Sequence, residues 1–285
     1  MGLFDCDGRV SDLRGWRGLC AVYTGGMTPI LQSQLPFAPW MDPRTARLPG
    51  IVPLEGDDWL RVDDAYAGQM AERDRLIAGY EPLVHAMLEG ARPAAEELFD
   101  TIVARLRAVP GYQVRAGDVV RPDGVVVPLD RAVPLRTLGR LVQEDLCLMQ
   151  SDGGESVLTG AVLCFPASWT LAEKLGRAMT GIHLPVAHYS QDVARRVQRL
   201  FDAIRPEQPL WRANALVYDD PELYQPRPEG ARRSRPVKRL YMRSERQCLL
   251  RLPQSRAVVF SIHTYLVRLQ DLTAEQQASM AAAGL

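Results

Sequence analysis

The stretch YMRSERQCLLRLPQSRAVVFSIHTYL, residues 241–266, gives a clear indication of strand structure in this sequence. It contains two runs in which apolar and polar side chains are interleaved, separated by Pro-Gln-Ser at 253–255. A short break of this kind between two β-rich runs is typical of an antiparallel hairpin. We therefore expect two long neighbouring strands, which the surrounding sequence extends to 237–252 and 256–269.

The sequence before this hairpin supplies further strands and most of the helices. Strand patterns cover 156–165 and 210–218, and Pro-Asp-Gly at 122–124 predicts the turn of a short hairpin. Thr273 and Gln276 form a capping box that begins a last short helix. Helical periodicity predicts longer helices at 65–89, 92–109, 134–149 and 191–204. Because helices come first and strands cluster late, the predicted class is α+β with a largely antiparallel sheet.

Composition excludes several classes of protein. Lys+Arg and Asp+Glu both total 34, so no overall field attracts nucleic acid or a membrane surface. No apolar run approaches the roughly 18 to 20 residues that a membrane span requires. The five cysteines are an odd number without a CxxC pair, and the N-terminus is acidic where a signal peptide would be basic. We expect a soluble cytoplasmic protein that binds neither nucleic acid nor membrane.

Two of the four histidines lie close together, in GIHLPVAHYS at 181–190. His183 and His188 could be metal ligands, a catalytic pair, or unrelated side chains that cap a loop or face solvent. Pro185 disfavours helix for Leu184, so we expect an extended loop. A structural zinc site is disfavoured because the sequence has no close cysteine pair. The motifs HExxH, GxSxG, GxGxxG and the Walker loop are absent as well.

The first strand of the hairpin is unusually charged. Alternation puts Arg243, Glu245 and Gln247 on one face and Arg246 on the other. From 227 to 256 there are ten Lys or Arg residues and two acids. Such a strand is either a solvated edge or a polar wall that faces a bound ligand, and the pattern leaves both interpretations open.

The neighbouring carboxylates Glu144 and Asp145 are not expected to form a catalytic pair. Glu144 and Asp145 fall within the predicted helix 134–149, where adjacent side chains point roughly 100° apart. They are therefore not expected to enter one site, and a hydrolase with paired carboxylates is disfavoured.

Several dispersed motifs, taken together and in order, resemble the haem-dependent oxidative N-demethylase family. The likeness extends from about residue 35 to about residue 269, which is most of the chain. The segments that carry it are LVQEDLCLM (141–149), CFPASWTLAEKLG (164–176), IHLPV (182–186), WRAN (211–214) and RSERQCLLRLPQSRAVVFSIHTYL (243–266).

This resemblance implies a PAS-like fold, in which an antiparallel sheet with flanking helices encloses a pocket for haem b. Residues 35–285 would form this oxygenase domain, and residues 1–34 an N-terminal extension. The implied reaction is an O2-dependent, N-demethylation-like oxidation of a small amine or other nitrogenous substrate. Electrons would come from a separate NAD(P)H-dependent flavin/iron–sulfur reductase. A haem-binding PAS-type sensor and a non-catalytic binding protein remain the alternatives.

The resemblance also implies which residues hold the cofactor. His183 matches the family motif and is the expected axial ligand of the haem iron. Arg243 and Arg246 are expected to pair with the haem propionates, with one of the two arginines contributing most. Gln247 and Tyr189 are expected to line the cofactor site.

Three further residues are expected on the catalytic side of the pocket. Glu245 would hold a cationic amine or relay protons. His188 departs from the family motif, and His263 stands where an arginine is common in the family. Both imidazoles are expected near the substrate.

Overall fold

The computed structural model describes residues 28–46, 50–151, 154–183, 191–231 and 235–285; for residues 183 and 191–194 only the backbone is described. None of the helices in these ranges combines the length and the apolar character needed to cross a membrane.

The described residues form an α+β protein with antiparallel sheets. The described α-helices are α1 (Tyr66–Val84), α2 (Arg92–Leu106), α3 (Pro134–Gly139), α4 (Leu171–Lys174), α5 (Met179–His183), α6 (Gln191–Ala203) and α7 (Ala274–Met280). The described strands are β1 (Val52–Pro53), β2 (His85–Met87), β3 (Gln113–Val114), β4 (Asp118–Val120), β5 (Val126–Pro128), β6 (Asp145–Gln150), β7 (Val157–Val162), β8 (Leu210–Tyr218), β9 (Tyr241–Arg251) and β10 (Val258–Arg268). Single 3₁₀ turns lie at Glu89–Ala91, Leu269–Asp271 and Ala281–Ala283.

The main sheet has seven strands in the order β1-β8-β9-β10-β6-β7-β2, and every neighbouring pair is antiparallel. The predicted hairpin is confirmed and lies in the middle of this sheet. Its strands β9 and β10 pair without interruption from Tyr241↔Arg268 to Arg251↔Val258. A second sheet of three short strands, β3-β4-β5, contains the predicted turn at 122–124. The predicted capping box between Thr273 and Gln276 is confirmed at the start of α7.

The predicted helix at 134–149 is wrong in its second half. Helix α3 ends at Gly139, and residues 145–150 form strand β6. Consecutive residues of β6 are buried on both faces of the sheet, so the run has no polar alternation and its apolar spacing does not distinguish helix from strand. Gly139 allows α3 to approach the sheet, because a Cβ atom there would lie 2.4 Å from Val162 Cγ2.

The two faces of the main sheet are covered by different parts of the chain. We call front face the side to which Arg212, Asn214, Glu245, Gln247 and Thr264 point, and back face the side of Trp211, Ser244, Arg246, His263 and Tyr265. Helices α4, α5 and α6 cover the front face, through an apolar cluster that includes Leu171, Met179, Phe201, Cys147, Met149 and Leu249. Helices α1, α2 and α3 cover the back face, through a cluster that includes Leu76, Leu98, Leu138, Leu146, Cys248 and Val259.

Residues before 35 take part in this fold. Gln32 is buried, and its backbone and side chain both bond to Leu266 of β10 at 3.0 and 2.8 Å. The described part of the predicted N-terminal extension is therefore attached to the sheet.

Candidate functional site

A buried carboxylate is held in place on the front face by two side-chain amides. Asn214 Nδ2 and Gln247 Nε2 each donate to Glu245 Oε2 at 3.0 Å. The Glu245 backbone N–H donates in return to Asn214 Oδ1 at 3.1 Å. Register explains these contacts, since Asn214 of β8 lies directly opposite Glu245 of β9. Among the described residues no hydrogen-bond donor reaches Glu245 Oε1, which lies 3.6 Å from Arg243 Nη2. This oxygen can accept a bond from a ligand.

Arg243 lies beside Glu245 but is occupied by the backbone. Its guanidinium is 1 % exposed and donates to Phe165 O at 2.6 Å and to Leu223 O at 3.0 Å. These bonds tie two chain segments to the sheet. The predicted pairing of Arg243 with a haem propionate stays a prediction, and these contacts favour a structural role.

Arg212 is the neighbour of this group on β8, opposite Gln247. Its side chain is partly buried, and Nε is buried without a hydrogen-bond partner. Burial lowers the pKa of Arg212, although the charge of Glu245 acts in the opposite direction. Thr264, opposite Glu245 on β10, likewise has a buried Oγ1 without a partner. The front face thus carries polar groups whose bonding capacity the described residues leave unused.

The helix that ends at His183 is held on the front face. Ile182 packs against the front-face cluster, and its carbonyl accepts a bond of 2.8 Å from Lys174 Nζ. The expected extended loop is wrong for residues 181–183, which are helical, because Pro185 restricts only the residue directly before it. His188 and Tyr189 lie outside the described residues.

On the back face, His263 is clamped between two carboxylates. The 1 % exposed imidazole bonds through Nδ1 to Glu144 Oε1 at 2.8 Å and through Nε2 to Asp63 Oδ2 at 3.0 Å. Asp63 also accepts bonds of 2.9 Å from Gln143 and 2.8 Å from Gln32. Burial by itself would lower the pKa of His263, but the bonds to Asp63 and Glu144 raise it to about 9. We call Asp63, Glu144 and His263 the histidine clamp.

Arg246 also lies on the back face. Its Nη1 lies 3.2 Å from Cys248 Sγ, its guanidinium stacks 5.3 Å from the Trp211 ring centre, and Nη2 lies 3.5 Å from Asp58 Oδ2. The predicted division of β9, with Arg243 and Glu245 on one side and Arg246 on the other, is confirmed. The solvated-edge interpretation is wrong, because β9 is an inner strand whose residues 242–249 are buried.

The predicted site residues are therefore divided between two faces. Arg243, Glu245 and Gln247 share the front face with the helix that ends at His183, whereas Arg246 and His263 lie behind the sheet. Both ring nitrogens of His263 bond to carboxylates, which favours a role in stability. The catalytic role expected for His263 and the cofactor contact expected for Arg246 stay predictions.

Glu144 and Asp145 have separate partners, although they lie at the start of a strand and not in a helix. Asp145 is buried and bonds to Arg73 Nη1 at 2.7 Å. It also accepts hydrogen bonds from the backbone N–H groups of Cys164 and Phe165, at 2.6 and 2.8 Å. The disfavoured paired-carboxylate site is not formed by these two residues.

An open cleft of about 640 Å³ lies on the back-face side. Its lining includes Arg61, Asp58, Asp63 and Tyr265. The charged groups in it already have partners, since Arg61 pairs with Asp58 and Asp63 bonds to His263. The cleft gives solvent a route toward the histidine clamp. Arg61 and Arg105 in its lining also have a buried Nε without a hydrogen-bond partner, but unlike Arg212 each forms an ion pair, with Asp58 and Asp57.

The histidine clamp predicts a pH-dependent stability. The pKa of His263 is about 9 in the folded protein against 6.5 in an unfolded chain, so the stabilisation is complete below pH 6.5 and is lost as pH rises through 9. The difference in unfolding free energy between wild type and His263→Gln should shrink by about 3 kcal/mol from pH 6 to pH 9. Urea denaturation at both pH values measures it, and a difference that stays constant or widens would contradict the raised pKa.

Sequence reasoning missed Arg212, Asn214 and Asp63. The first two could have been found from strand alternation. Arg212 and Asn214 are two residues apart on β8, as Glu245 and Gln247 are on β9, so each pair lies on one face of its strand. Asp63 could not, since it lies 200 residues from its partner His263 in a segment without regular periodicity.

Within the described ranges, no group of three or more His, Cys, Asp or Glu side chains is placed to hold a metal ion. A comparison with protein families is more informative. The family model described as haem-dependent oxidative N-demethylase, alpha subunit-like, matches residues 50–284. The match includes the front-face residues of β8 and β9, the end of α5 and the histidine clamp. The chain therefore belongs to the haem-dependent oxidative N-demethylase alpha subunit-like family.

Proposed function

We propose that the protein is a haem b-dependent monooxygenase that oxidises a small amine in an N-demethylation-like reaction. O2 would be the co-substrate, and a separate NAD(P)H-dependent flavin/iron–sulfur reductase in the cytoplasm would supply the electrons. The observation that carries the proposal is the arrangement of the front face. It places the amide-held carboxylate of Glu245 on the same side of the sheet as the helix that ends at His183.

The proposal includes a PAS-like fold for residues 35–285. An antiparallel sheet with three helices on one face, α4 to α6, supports it. Residues 1–34 as an extension remain part of the proposal, and within them Gln32 is bonded to Leu266 of β10.

The front face fits the chemistry of haem. Haem has a broad apolar ring and two carboxylates, and the front face offers an apolar cluster beside the unused guanidinium of Arg212. His183 would be the axial ligand, and Gln247 and Tyr189 would contact the cofactor. When bound, haem supplies the oxygen-activating chemistry, and the protein supplies binding, orientation and charge.

Glu245 would bind the substrate amine. Small alkylamines are cations at neutral pH, and a carboxylate oxygen is a strong acceptor for their N–H groups. Oε1 pairs with Arg243 at 3.6 Å but accepts no hydrogen bond from the described residues, while Asn214 and Gln247 fix the orientation of the carboxylate through Oε2. The same oxygen could take the ammonium proton and so leave the amine neutral for oxidation. His188 is proposed to lie near the substrate.

Turnover with a reductase tests the proposed function. Haem-loaded protein, an NADPH-dependent reductase and a series of N-methylamines should consume O2 and release formaldehyde in equal amounts. One oxygen atom then enters formaldehyde and the other, with two electrons and two protons, forms water. Bound haem without any amine-dependent O2 consumption would contradict the monooxygenase and favour the sensor.

Removal of the proposed axial ligand should change the absorption spectrum. His183→Ala is expected to lose haem or shift the Soret band strongly, because iron loses its protein ligand. His188→Ala is the matched control from the same segment and should leave the Soret band largely unchanged. Absorption spectra of both variants, at equal haem supply, make the comparison. The opposite pattern would assign the ligand to His188.

A further inference from the structure

Arg212 is a cation for which the described part of the chain provides no partner. Neither a hydrogen bond nor an ion pair within 4.0 Å connects its guanidinium to another described residue, and Nε is buried. A partly buried guanidinium without acceptors is costly, since desolvation is not offset by new bonds. Burial lowers the pKa of Arg212 accordingly, with only the charge of Glu245 opposing the effect.

The other arginines of these strands are used differently. Two guanidinium nitrogens of Arg243 donate hydrogen bonds to the carbonyls of Phe165 and Leu223. Arg246 points to the back face and stacks on Trp211. Arg243 Nε is buried without a partner as well, but both terminal nitrogens of that guanidinium are bonded. In the described part of β8 and β9, Arg212 is therefore the front-face arginine whose guanidinium makes no hydrogen bond to a described residue.

Arg212 lies close to the carboxylate of Glu245 on the front face. Arg212 and Asn214 point the same way on β8, about 7 Å apart along the strand. Asn214 holds Glu245, so a negative and a positive group lie side by side on one surface. The planar fork of an arginine binds a carboxylate through two parallel bonds.

We propose that Arg212 is a carboxylate-binding residue of the front face and that its ligand is a propionate of the bound haem. This assignment rests on the proposed function. It replaces Arg243 and Arg246, the two arginines expected from the sequence, by a residue of the neighbouring strand. A carboxylate of the substrate has the same chemistry, and the experiment separates the two sources.

Haem affinity measured with and without free propionates tests the proposal. Apoprotein is titrated with haemin and with haemin dimethyl ester, and the Soret absorbance gives both dissociation constants. Arg212→Gln should weaken haemin binding by about ten- to hundredfold and leave ester binding unchanged, since a charge-assisted bond is lost only in the first case. Arg199→Gln, which removes an exposed arginine of α6, is the matched control and should bind both compounds like wild type.

Two additional measurements keep the result unambiguous. Arg212→Lys retains the charge but lacks the fork, and should recover part of the haemin affinity if the glutamine variant folds poorly. The KM values for N-methylglycine and dimethylamine are compared in wild type and Arg212→Gln. An effect confined to the KM for N-methylglycine would support carboxylate binding with the substrate as its source, and would overturn the propionate assignment.

The failures are distinguishable. An Arg212→Gln protein with wild-type haemin affinity and wild-type KM for both amines overturns the inference while the proposed function stands. A wild-type protein that takes up neither haemin nor its ester contradicts the proposed function, and the propionate assignment falls with it.

Discussion

Replacing Glu245 with glutamine is expected to lower turnover by about 10²- to 10⁴-fold while haem stays bound. The glutamine keeps the size of the side chain and can still contact Asn214, but it loses the charge that attracts an ammonium group and the ability to accept its proton. Because Glu245 Oε2 is already occupied by two amides, the loss should be felt at Oε1. Steady-state kcat and KM with an N-methylamine, together with the Soret absorbance per chain, measure the effect.

Two controls separate chemistry from folding in this experiment. Glu275→Gln changes an exposed carboxylate of α7 and should have wild-type kinetics. Asn214→Ala should raise KM and lower kcat less than Glu245→Gln does, since it frees the carboxylate without removing it. If Glu245→Gln matches wild type in kcat/KM, the carboxylate does not take part in the reaction.

The largest loss of stability is expected from the histidine clamp. His263→Ala removes the cation between two carboxylates, one of which, Glu144, is fully buried. Breaking such a group by removing one partner costs about 3–5 kcal/mol, because the remaining charges stay buried without compensation. Urea denaturation at pH 6.5 measures the unfolding free energy.

The chain offers matched comparisons for this result. His85→Ala removes a histidine that pairs with the more exposed Glu81 at 3.3 Å, and should cost about 1 kcal/mol or less. His263→Ala combined with Glu144→Gln should be more stable than His263→Ala alone, since one uncompensated charge disappears. Equal losses for His263→Ala and His85→Ala would show that the clamp contributes little.

The strands of the sheet were largely predictable because their signals are local. The prediction for 210–218 coincides with β8, and the hairpin of β9 and β10 follows from two long runs around a short break. The error at 134–149 has a local cause too. A strand that packs on both faces shows continuous apolar residues, so it resembles the continuation of the helix before it.

The candidate site was predictable only where one strand determines it. Alternation along β9 separates Glu245 from Arg246, and the structure confirms that separation. Arg212 and Asn214 join the site through strand pairing, and Asp63 joins His263 through tertiary packing. Such contacts depend on register and on helix placement, which no periodicity within one segment encodes.

We propose that each chain binds one haem on the front face of its sheet. Titration of the apoprotein with haemin tests it most directly. We predict a Soret band that grows linearly and stops at one haem per chain for wild type. A protein that develops no Soret band, or one whose absorbance rises without saturation, would contradict the binding of one haem per chain.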